Sequence, residues 1–233
     1  MPNMKLNELQ IEKLYLFTRQ HFVEWYDLQT ELVDHLANAI ETQWQEFPNR
    51  TFEEALQIEF KKFGVFGFMD VVEKRQAALG KKYAKIIWSH FKNFFHLPQI
   101  IGTLSAVGIL FYILKISLYS EIIVMSMLTL LLVFFFVELV RNARKMKKQS
   151  EETGKKWLFK EILTGYGQTS GFMFLPLQTV YHLRSLFNDD LVLLGGSFLI
   201  IALALVQYIV LVLIPKKAEQ YLKETYPEYE FSK

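Results

Sequence analysis

The amino-acid sequence predicts an all-α protein in which an N-terminal helical bundle precedes a membrane region of four helices, arranged as two hairpins. Two apolar runs, residues 97–118 and 122–140, are each as long as the ~20 residues that a helix needs to cross a bilayer. Apolar side chains recur at three- and four-residue spacing through residues 1–96, without the alternation typical of strands. The chain is 52% hydrophobic and 21% charged, an average that hides this division between a charged first part and an apolar second part.

The first two helices of the bundle, which we assign to residues 1–80, follow from the spacing of their apolar side chains. One helix is predicted over residues 6–21. The next has an apolar face that extends over residues 28–44. It is expected to stop at Pro48, because proline cannot continue a helix.

The third helix carries its own start and stop. Thr51 and Glu54 have the spacing of a capping box, in which each side chain bonds the backbone N–H of the other. Gly64 stands where a left-handed residue ends a helix, and another helix is expected to begin near Gly67. Residues 81–96 are basic and aromatic, which predicts a connecting helix at the membrane interface.

Two further apolar runs, residues 162–187 and 191–214, complete the predicted membrane region. Only residues 188–190 separate them, so a second hairpin is expected. The first of these runs contains several polar side chains, among them Arg184, and the alternative for it is an amphipathic helix on the membrane surface. The short connection to the second run favours a span.

Lysine and arginine predict the orientation. Residues 141–160, predicted as a loop, carry eight of these basic residues, whereas the two short turns carry none. The tail, residues 215–233, opens with Lys216 and Lys217. Basic residues collect on the cytoplasmic side of membranes. We therefore expect a multi-pass membrane protein with the N-terminal region, the basic loop and the tail in the cytosol.

Three short motifs within residues 26–75 suggest a family. Residues 31–36 read Glu-Leu-Val-Asp-His-Leu, residues 51–56 read Thr-Phe-Glu-Glu-Ala-Leu, and residues 62–64 read Lys-Phe-Gly. In this order they resemble the HAAS-type signalling domain, a small helical domain that precedes membrane helices in bacterial proteins often encoded beside PadR-family transcription regulators. Residues 64–69 depart from its usual Gly-Asp-Pro type of turn. The resemblance implies a regulatory membrane protein whose helical domain binds a partner, such as a PadR-type regulator.

Glu31, Asp34 and His35 form the candidate partner-binding site. Glu31 and His35 share one helical face, as two metal ligands would, but Asn38 and Ala39 occupy the next turn and neither is a good ligand. Two ligands are too few for a structural zinc site, which usually has four. We therefore expect a solvated or helix-packing face and no metal site.

Gly167, Ser170 and Gly171 are the candidate helix-packing residues. The surrounding glycines suggest a phosphate-binding loop, but no strand precedes them and no Gly-Lys-Ser/Thr follows. Small residues four apart allow two helices to approach closely in lipid. Small side chains over residues 102–108 provide a matching face on the first span.

The candidate lipid-headgroup residues are Arg141, Arg144, Lys145, Lys147 and Lys148. Each basic residue near an anionic membrane surface contributes about 1 kcal/mol of attraction. Few aromatic side chains lie among them, so nucleic acid is not expected as a partner.

Three ionisable side chains lie within the apolar runs, namely Lys115, Glu138 and Arg184. Such groups are functional candidates at membrane depth. Each lies near the end of its run, however, and we expect it to reach the headgroup region.

These patterns favour a non-enzymatic regulatory membrane protein with no catalytic residue and no cofactor. Its expected partners are the bilayer, a protein bound by the helical domain, and a second copy in a homo-oligomer. The alternatives are a subunit of a larger membrane complex, or a small transporter or membrane enzyme with a polar site between the spans. The residues of that polar site would be Gln168, Gln178, His182, Arg184 and Gln207.

Overall fold

The structure, a computed structural model, describes residues 5–165, 189–226 and 229. Every regular element within these residues is a helix, which confirms the all-α prediction. The helices are α1 (Glu8–Gln20), α2 (Tyr26–Glu46), α3 (Phe52–Lys61), α4 (Met69–Asn93), α5 (Gln99–Ile116), α6 (Ser120–Thr153), α7 (Leu158–Thr164), α8 (Asp190–Tyr208) and α9 (Ile214–Thr225). A π-helical turn, Ile209–Leu213, joins α8 and α9 into one continuous helix.

Helices α1, α2 and α3 and the start of α4 pack around one apolar core, and we call this unit the N-terminal bundle. Leu14, Leu36, Ile40 and Phe68 are fully buried at its centre. The predicted capping box of α3 is confirmed, since Glu54 N donates to Thr51 Oγ1 at 3.2 Å and Thr51 N donates to the Glu54 carboxylate at 3.1 Å. Local sequence therefore defines the helices of this bundle.

Helix α4 is longer than the sequence suggested and belongs to two cores. The predicted boundary between residues 1–80 and 81–96 falls inside it. Gly80 does not interrupt the helix, because one interior glycine costs only about 1 kcal/mol and buried side chains on both sides of it outweigh that cost. Val72 packs in the N-terminal bundle, whereas Leu79 and Tyr83 pack against α7 and α9.

The prediction of a loop over residues 141–160 is wrong for most of its length, because α6 continues to Thr153. The residues after Val140 are mostly good helix formers, without glycine or proline until Gly154. Ion pairs one turn apart, such as Lys147–Glu151 at 3.9 Å, add weak support. Gly154 ends the helix with φ +64°, the left-handed conformation that glycine adopts readily.

Three helices are long and apolar enough to cross a membrane, namely α5, α6 and the continuous helix of α8 and α9. They match three of the four predicted spans. Of the predicted span 162–187, residues 162–164 form the end of α7, and residues 166–187 lie outside the described residues. Only 17% of the apolar window of α5 is buried, so most of its apolar side chains face outward.

The π-helical turn has a cause in the sequence. Pro215 has no N–H to donate to the carbonyl of Leu211, four residues earlier. Asn142 Nδ2 of α6 donates to that carbonyl at 3.2 Å, and both residues are buried. Ile214 N donates to Ile209 O in the five-residue pattern of a π-helix. A side chain of a neighbouring helix thus satisfies the acceptor that proline leaves open.

Different contacts hold the two ends of the long helices. Lys115, at the end of α5, pairs with Asp190, at the start of α8, at 2.5 Å. At the other end, α9 packs against α4 and α7 in a second core that contains Tyr83, Leu163 and Leu222. The N-terminal bundle and α9 therefore lie at the same end of the helices, and the Lys115–Asp190 pair lies at the opposite end.

Candidate functional site

The N-terminal bundle meets α7 and α9 around one buried carboxylate, and we call this contact the junction. Asp27, the second residue of α2, is only 5% exposed. Leu158 N donates to its Oδ1 at 2.9 Å, and Phe159 N donates to its Oδ2 at 3.4 Å. No side chain of the 157–164 segment caps α7. Asp27 therefore supplies, from a distant part of the chain, the cap that α7 lacks.

Groups near the start of α2 also donate hydrogen bonds to residues near the start of α7. Tyr26 N, at the start of α2, donates to the carbonyl of Lys156 at 2.7 Å. Trp25 Nε1 donates to Glu161 Oε2 at 2.7 Å, and Lys156 pairs with Glu24 at 2.8 Å. The start of α2 and the start of α7 thus hold each other by bonds in both directions.

An aromatic cluster surrounds Asp27. The buried Trp157 ring lies 5.4 Å from the Tyr26 ring, 5.7 Å from the Tyr226 ring and 4.9 Å from the Tyr229 ring, centroid to centroid. Pairs at such distances contribute about 0.5–1.5 kcal/mol beyond the burial of their area. The cluster joins α2, α7 and the residues that follow α9, and it keeps water from the carboxylate.

The electrostatics of the junction follow from this burial. Burial raises the pKa of Asp27, and the hydrogen bonds from Leu158 and Phe159 oppose that increase. Burial, with a further contribution from the nearby Asp27 carboxylate, raises the pKa of Tyr226 to about 12. Arg75 Nη2 lies 3.4 Å from the Tyr226 hydroxyl and supplies a positive charge beside this pair.

Helix α4 connects the junction to the long helices. Lys82 Nζ donates to Thr225 Oγ1 at 2.7 Å. Further along α4, His90 Nε2 lies 2.6 Å from the Tyr221 hydroxyl. Burial first, and then the charge of Lys217, lower the pKa of His90, which favours its neutral form. α4 and α9 are therefore held together by polar contacts along most of their shared length.

The candidate partner-binding residues lie beside the junction, and of the three only Glu31 is connected to it by an ion pair. Glu31 pairs with Arg75 at 3.3 Å, and this arginine also reaches Tyr226. Asp34 and His35 are exposed, and the His35 ring touches the Phe63 ring at 6.0 Å between centroids. Among the described residues, no group of three or more His, Asp or Glu side chains is placed to hold a metal ion.

Most of the other predicted site residues fall elsewhere. Gly167, Ser170 and Gly171 lie outside the described residues, as do Gln168, Gln178, His182 and Arg184. Gln207 is described and is 1% exposed, two residues before the π-helical turn. On α5, Gly102 and Gly108 are exposed and no described atom lies within 4 Å of a Cβ placed there.

The candidate headgroup residues lie on a helix, as do Lys115 and Glu138, whereas Arg184 lies outside the described residues. The candidate headgroup residues are exposed along α6, with Arg141 paired to Glu138 at 2.5 Å. Glu138 is 5% exposed and is paired with Arg141, one turn toward the basic end of α6. Lys115 pairs with Asp190 across two helices.

The sequence reasoning missed Asp27, Trp157 and Tyr226, which form the centre of the junction. One signal was available for them. Residue 157, which precedes α7, is a tryptophan, and the helix has no Ser, Thr, Asp or Asn at its start. A helix that begins without a local cap needs an acceptor from elsewhere. Comparison of the chain with protein-family models, curated proteins and solved structures finds no match.

Proposed function

We propose that this protein is a membrane-anchored regulatory protein whose N-terminal bundle binds a protein partner and is coupled to the membrane helices through the junction. The observation that carries the proposal is the cap of α7 by Asp27. A bundle that served only as a soluble appendage would not need a buried carboxylate between itself and the long helices. The coupling in turn gives a partner bound to the bundle a physical route to the membrane region.

The geometry of the junction supports two alternative arrangements of the bundle. If the bundle moves away from α7, the two amides at the start of α7 exchange the Asp27 carboxylate for water, and each hydrogen bond lost in this way costs about 0.5–1.5 kcal/mol. The aromatic contacts of Trp157 would be lost in the same step. Because these contacts are lost together, the bundle is expected to have two discrete states, docked and undocked, and not a continuous range of positions. A switch requires two such states.

The placement in the membrane rests on the two ends of the helices. The N-terminal bundle and α9 share one end, where the basic residues of α6 also lie, and this end is assigned to the cytosol by the positive-inside rule. Gly165 lies at this end with α7, whereas Asp189 lies at the Lys115–Asp190 end. The positions of these two described residues at opposite ends of the long helices support the expectation of four spans with cytosolic termini. The bacterial inner membrane follows from the HAAS-type resemblance.

The partner would bind the exposed part of α2. Asp34 and His35 project from the bundle beside Glu31, whose ion pair with Arg75 leads to Tyr226 and Asp27. A protein bound there would compete for Glu31 and so affect the junction directly. A PadR-type regulator is the partner that the resemblance implies.

The test is complementation of a chromosomal deletion by the full-length protein with paired substitutions. We expect D34A/H35A to abolish complementation while the protein stays folded in the membrane, because the partner contact is lost. The matched control is E12A, an exposed acidic position on α1. Photo-crosslinking from residue 38, which is exposed one turn further along α2, should then give a discrete adduct in living cells. D34A/H35A should remove this adduct, and E12A should leave it unchanged.

The transporter alternative predicts the reverse pattern. Substituting His182, Arg184 and Gln207 together would abolish complementation, and D34A/H35A would be silent. That result would contradict the regulatory proposal. Of the residues proposed for the polar site, Gln207 is the one that the structure describes, and its burial is compatible with this alternative.

A further inference from the structure

A cleft of about 170 Å³ opens between α6, α7 and the start of α9. Four cationic side chains line it: Arg141 and Lys145 of α6, Lys160 of α7 and Lys216 of α9. Glu219 is the one carboxylate among its described lining residues. We call this cavity the basic cleft, and its charge is strongly positive.

The positive charge of the basic cleft is only partly balanced. Neither Lys145 nor Lys216 forms an ion pair with another described residue. Arg141 pairs with Glu138, but a guanidinium has five N–H donors and one carboxylate does not occupy them all. Lys160 is buried and donates to the amide oxygen of Gln149. Cations from three separate helices thus converge on one cavity, which favours an anionic ligand.

Part of the wall of the basic cleft is apolar. Met146, Leu211, Val212 and Pro215 contribute to it. At this level both α6 and the continuous helix of α8 and α9 change from apolar to basic sequence. In the membrane placement proposed above, this is the depth of the lipid headgroups. A ligand that fits both the basic and the apolar part of this lining carries a negatively charged group and an apolar group.

We infer that the basic cleft binds one anionic phospholipid, with its phosphate headgroup held by Arg141, Lys145 and Lys216 and its acyl chains along the apolar wall. The inference rests on the membrane placement under the proposed function and is independent of the protein partner. Arginine binds phosphate through two parallel hydrogen bonds, and lysine adds point charges. Of the five candidate headgroup residues, Arg141 and Lys145 line the cleft, whereas Arg144, Lys147 and Lys148 do not.

The experiment uses the full-length protein in dodecyl maltoside, titrated with phosphatidylglycerol or phosphatidylcholine and read by native mass spectrometry. We expect one phosphatidylglycerol per chain to be retained, in preference to phosphatidylcholine. K145Q/K216Q should weaken phosphatidylglycerol binding by at least about tenfold, since each basic residue near an anionic headgroup contributes about 1 kcal/mol. The matched control is K147Q/K148Q, which removes the same charge from exposed positions of α6 outside the cleft and should change binding less than twofold.

Three results would overturn the inference. Equal weakening by the two double variants would mean diffuse attraction to the basic surface and no site. Equal retention of phosphatidylcholine would exclude selection by charge, and displacement of phosphatidylglycerol by millimolar inorganic phosphate would assign the cleft to free anions. Thermal unfolding of each variant confirms that it is folded. Because the assay contains no protein partner, its failure leaves the complementation test of the regulatory role unaffected, and the converse also holds.

Discussion

At the scale of single residues, Asp27 is the side chain on which the junction depends. We expect D27A to lower the free energy of unfolding by about 1–3 kcal/mol, because the amides of Leu158 and Phe159 lose their acceptor in a buried site. Thermal unfolding of the full-length protein in detergent, followed by circular dichroism, measures this change. D34A on the exposed face of the same helix is the control, and it should stay within about 0.5 kcal/mol of the wild type.

The pH dependence of stability gives a second measure of the same residue. The pKa of Asp27 is raised in the folded state from 3.8, so its contribution to stability is fully present below that pH and is lost as the pH rises through the folded-state pKa. The stability advantage of the wild type over D27N should therefore shrink as the pH is raised from about 4 toward neutrality. An advantage that grows over this range would mean that the hydrogen bonds of α7 outweigh burial.

Residue by residue, local partners were predictable and distant ones were not. Thr51 and Glu54 are three positions apart, and their spacing alone predicted the cap that the structure confirms. Asp27 and Leu158 are separated by 131 positions. Nothing in either neighbourhood specifies the other, because only the packing of the bundle against α7 brings them together. The apolar face of α2 left a solvated and a helix-packing face open for Asp34 and His35, which are exposed in the structure. It did not predict the link from Glu31 to Arg75.

At the scale of helices, the π-helical turn offers a test of how one proline is tolerated. We expect N142A to destabilise the protein by about 1 kcal/mol, since the Leu211 carbonyl loses its donor at a buried position. In a P215A background the same substitution should cost almost nothing, because residue 215 then has an N–H to donate. A double-mutant cycle measured by unfolding in detergent gives the coupling free energy directly.

The cycle has a clear contrary outcome. If N142A costs the same with and without Pro215, then Asn142 stabilises the structure through contacts other than its bond to the Leu211 carbonyl, and the explanation of the π-helical turn is wrong. S197A on α8 is a suitable control, because Ser197 is buried but bonds the carbonyl of Leu193 within its own helix. Its cost should be unaffected by residue 215.

The existence of most helices was predictable, but their ends depended on what lay beyond them. Periodicity placed α1 to α3 within a few residues. The loop predicted after Val140 was wrong, because the end of an apolar run does not end a helix when the residues that follow are good helix formers. Likewise, α4 crosses the expected domain boundary at Gly80, since burial on both sides outweighs the cost of one glycine.

At the scale of the whole molecule, the absence of cysteine from the sequence makes the topology directly measurable. We expect an impermeant maleimide to label L118C in intact cells, and to label V65C and K217C only after the membrane is permeabilised. Leu118 lies in the exposed connection between α5 and α6, Val65 is on the bundle, and Lys217 is on α9. The unmodified chain, which has no thiol, is the blank.

The labelling of V65C and K217C on different sides would contradict the packing of α9 against α4.

Three of the predicted spans correspond to helices long and apolar enough to cross a membrane, and this much followed from run length alone. The side-by-side placement of the bundle and α9 did not follow, because it depends on contacts such as Lys82 with Thr225 that join the two halves of the chain.

The sharing of α4 between two cores has a consequence for modularity. A helix advances by about 100° per residue, so inserting one residue near Gly80 would turn the bundle by slightly more than a quarter of a revolution away from α7 and α9. Only insertions close to whole numbers of turns, such as seven residues, would restore the original facing. The bundle is therefore not an independent module that could be fused to another set of helices at any position, because α4 fixes its rotation relative to α7 and α9.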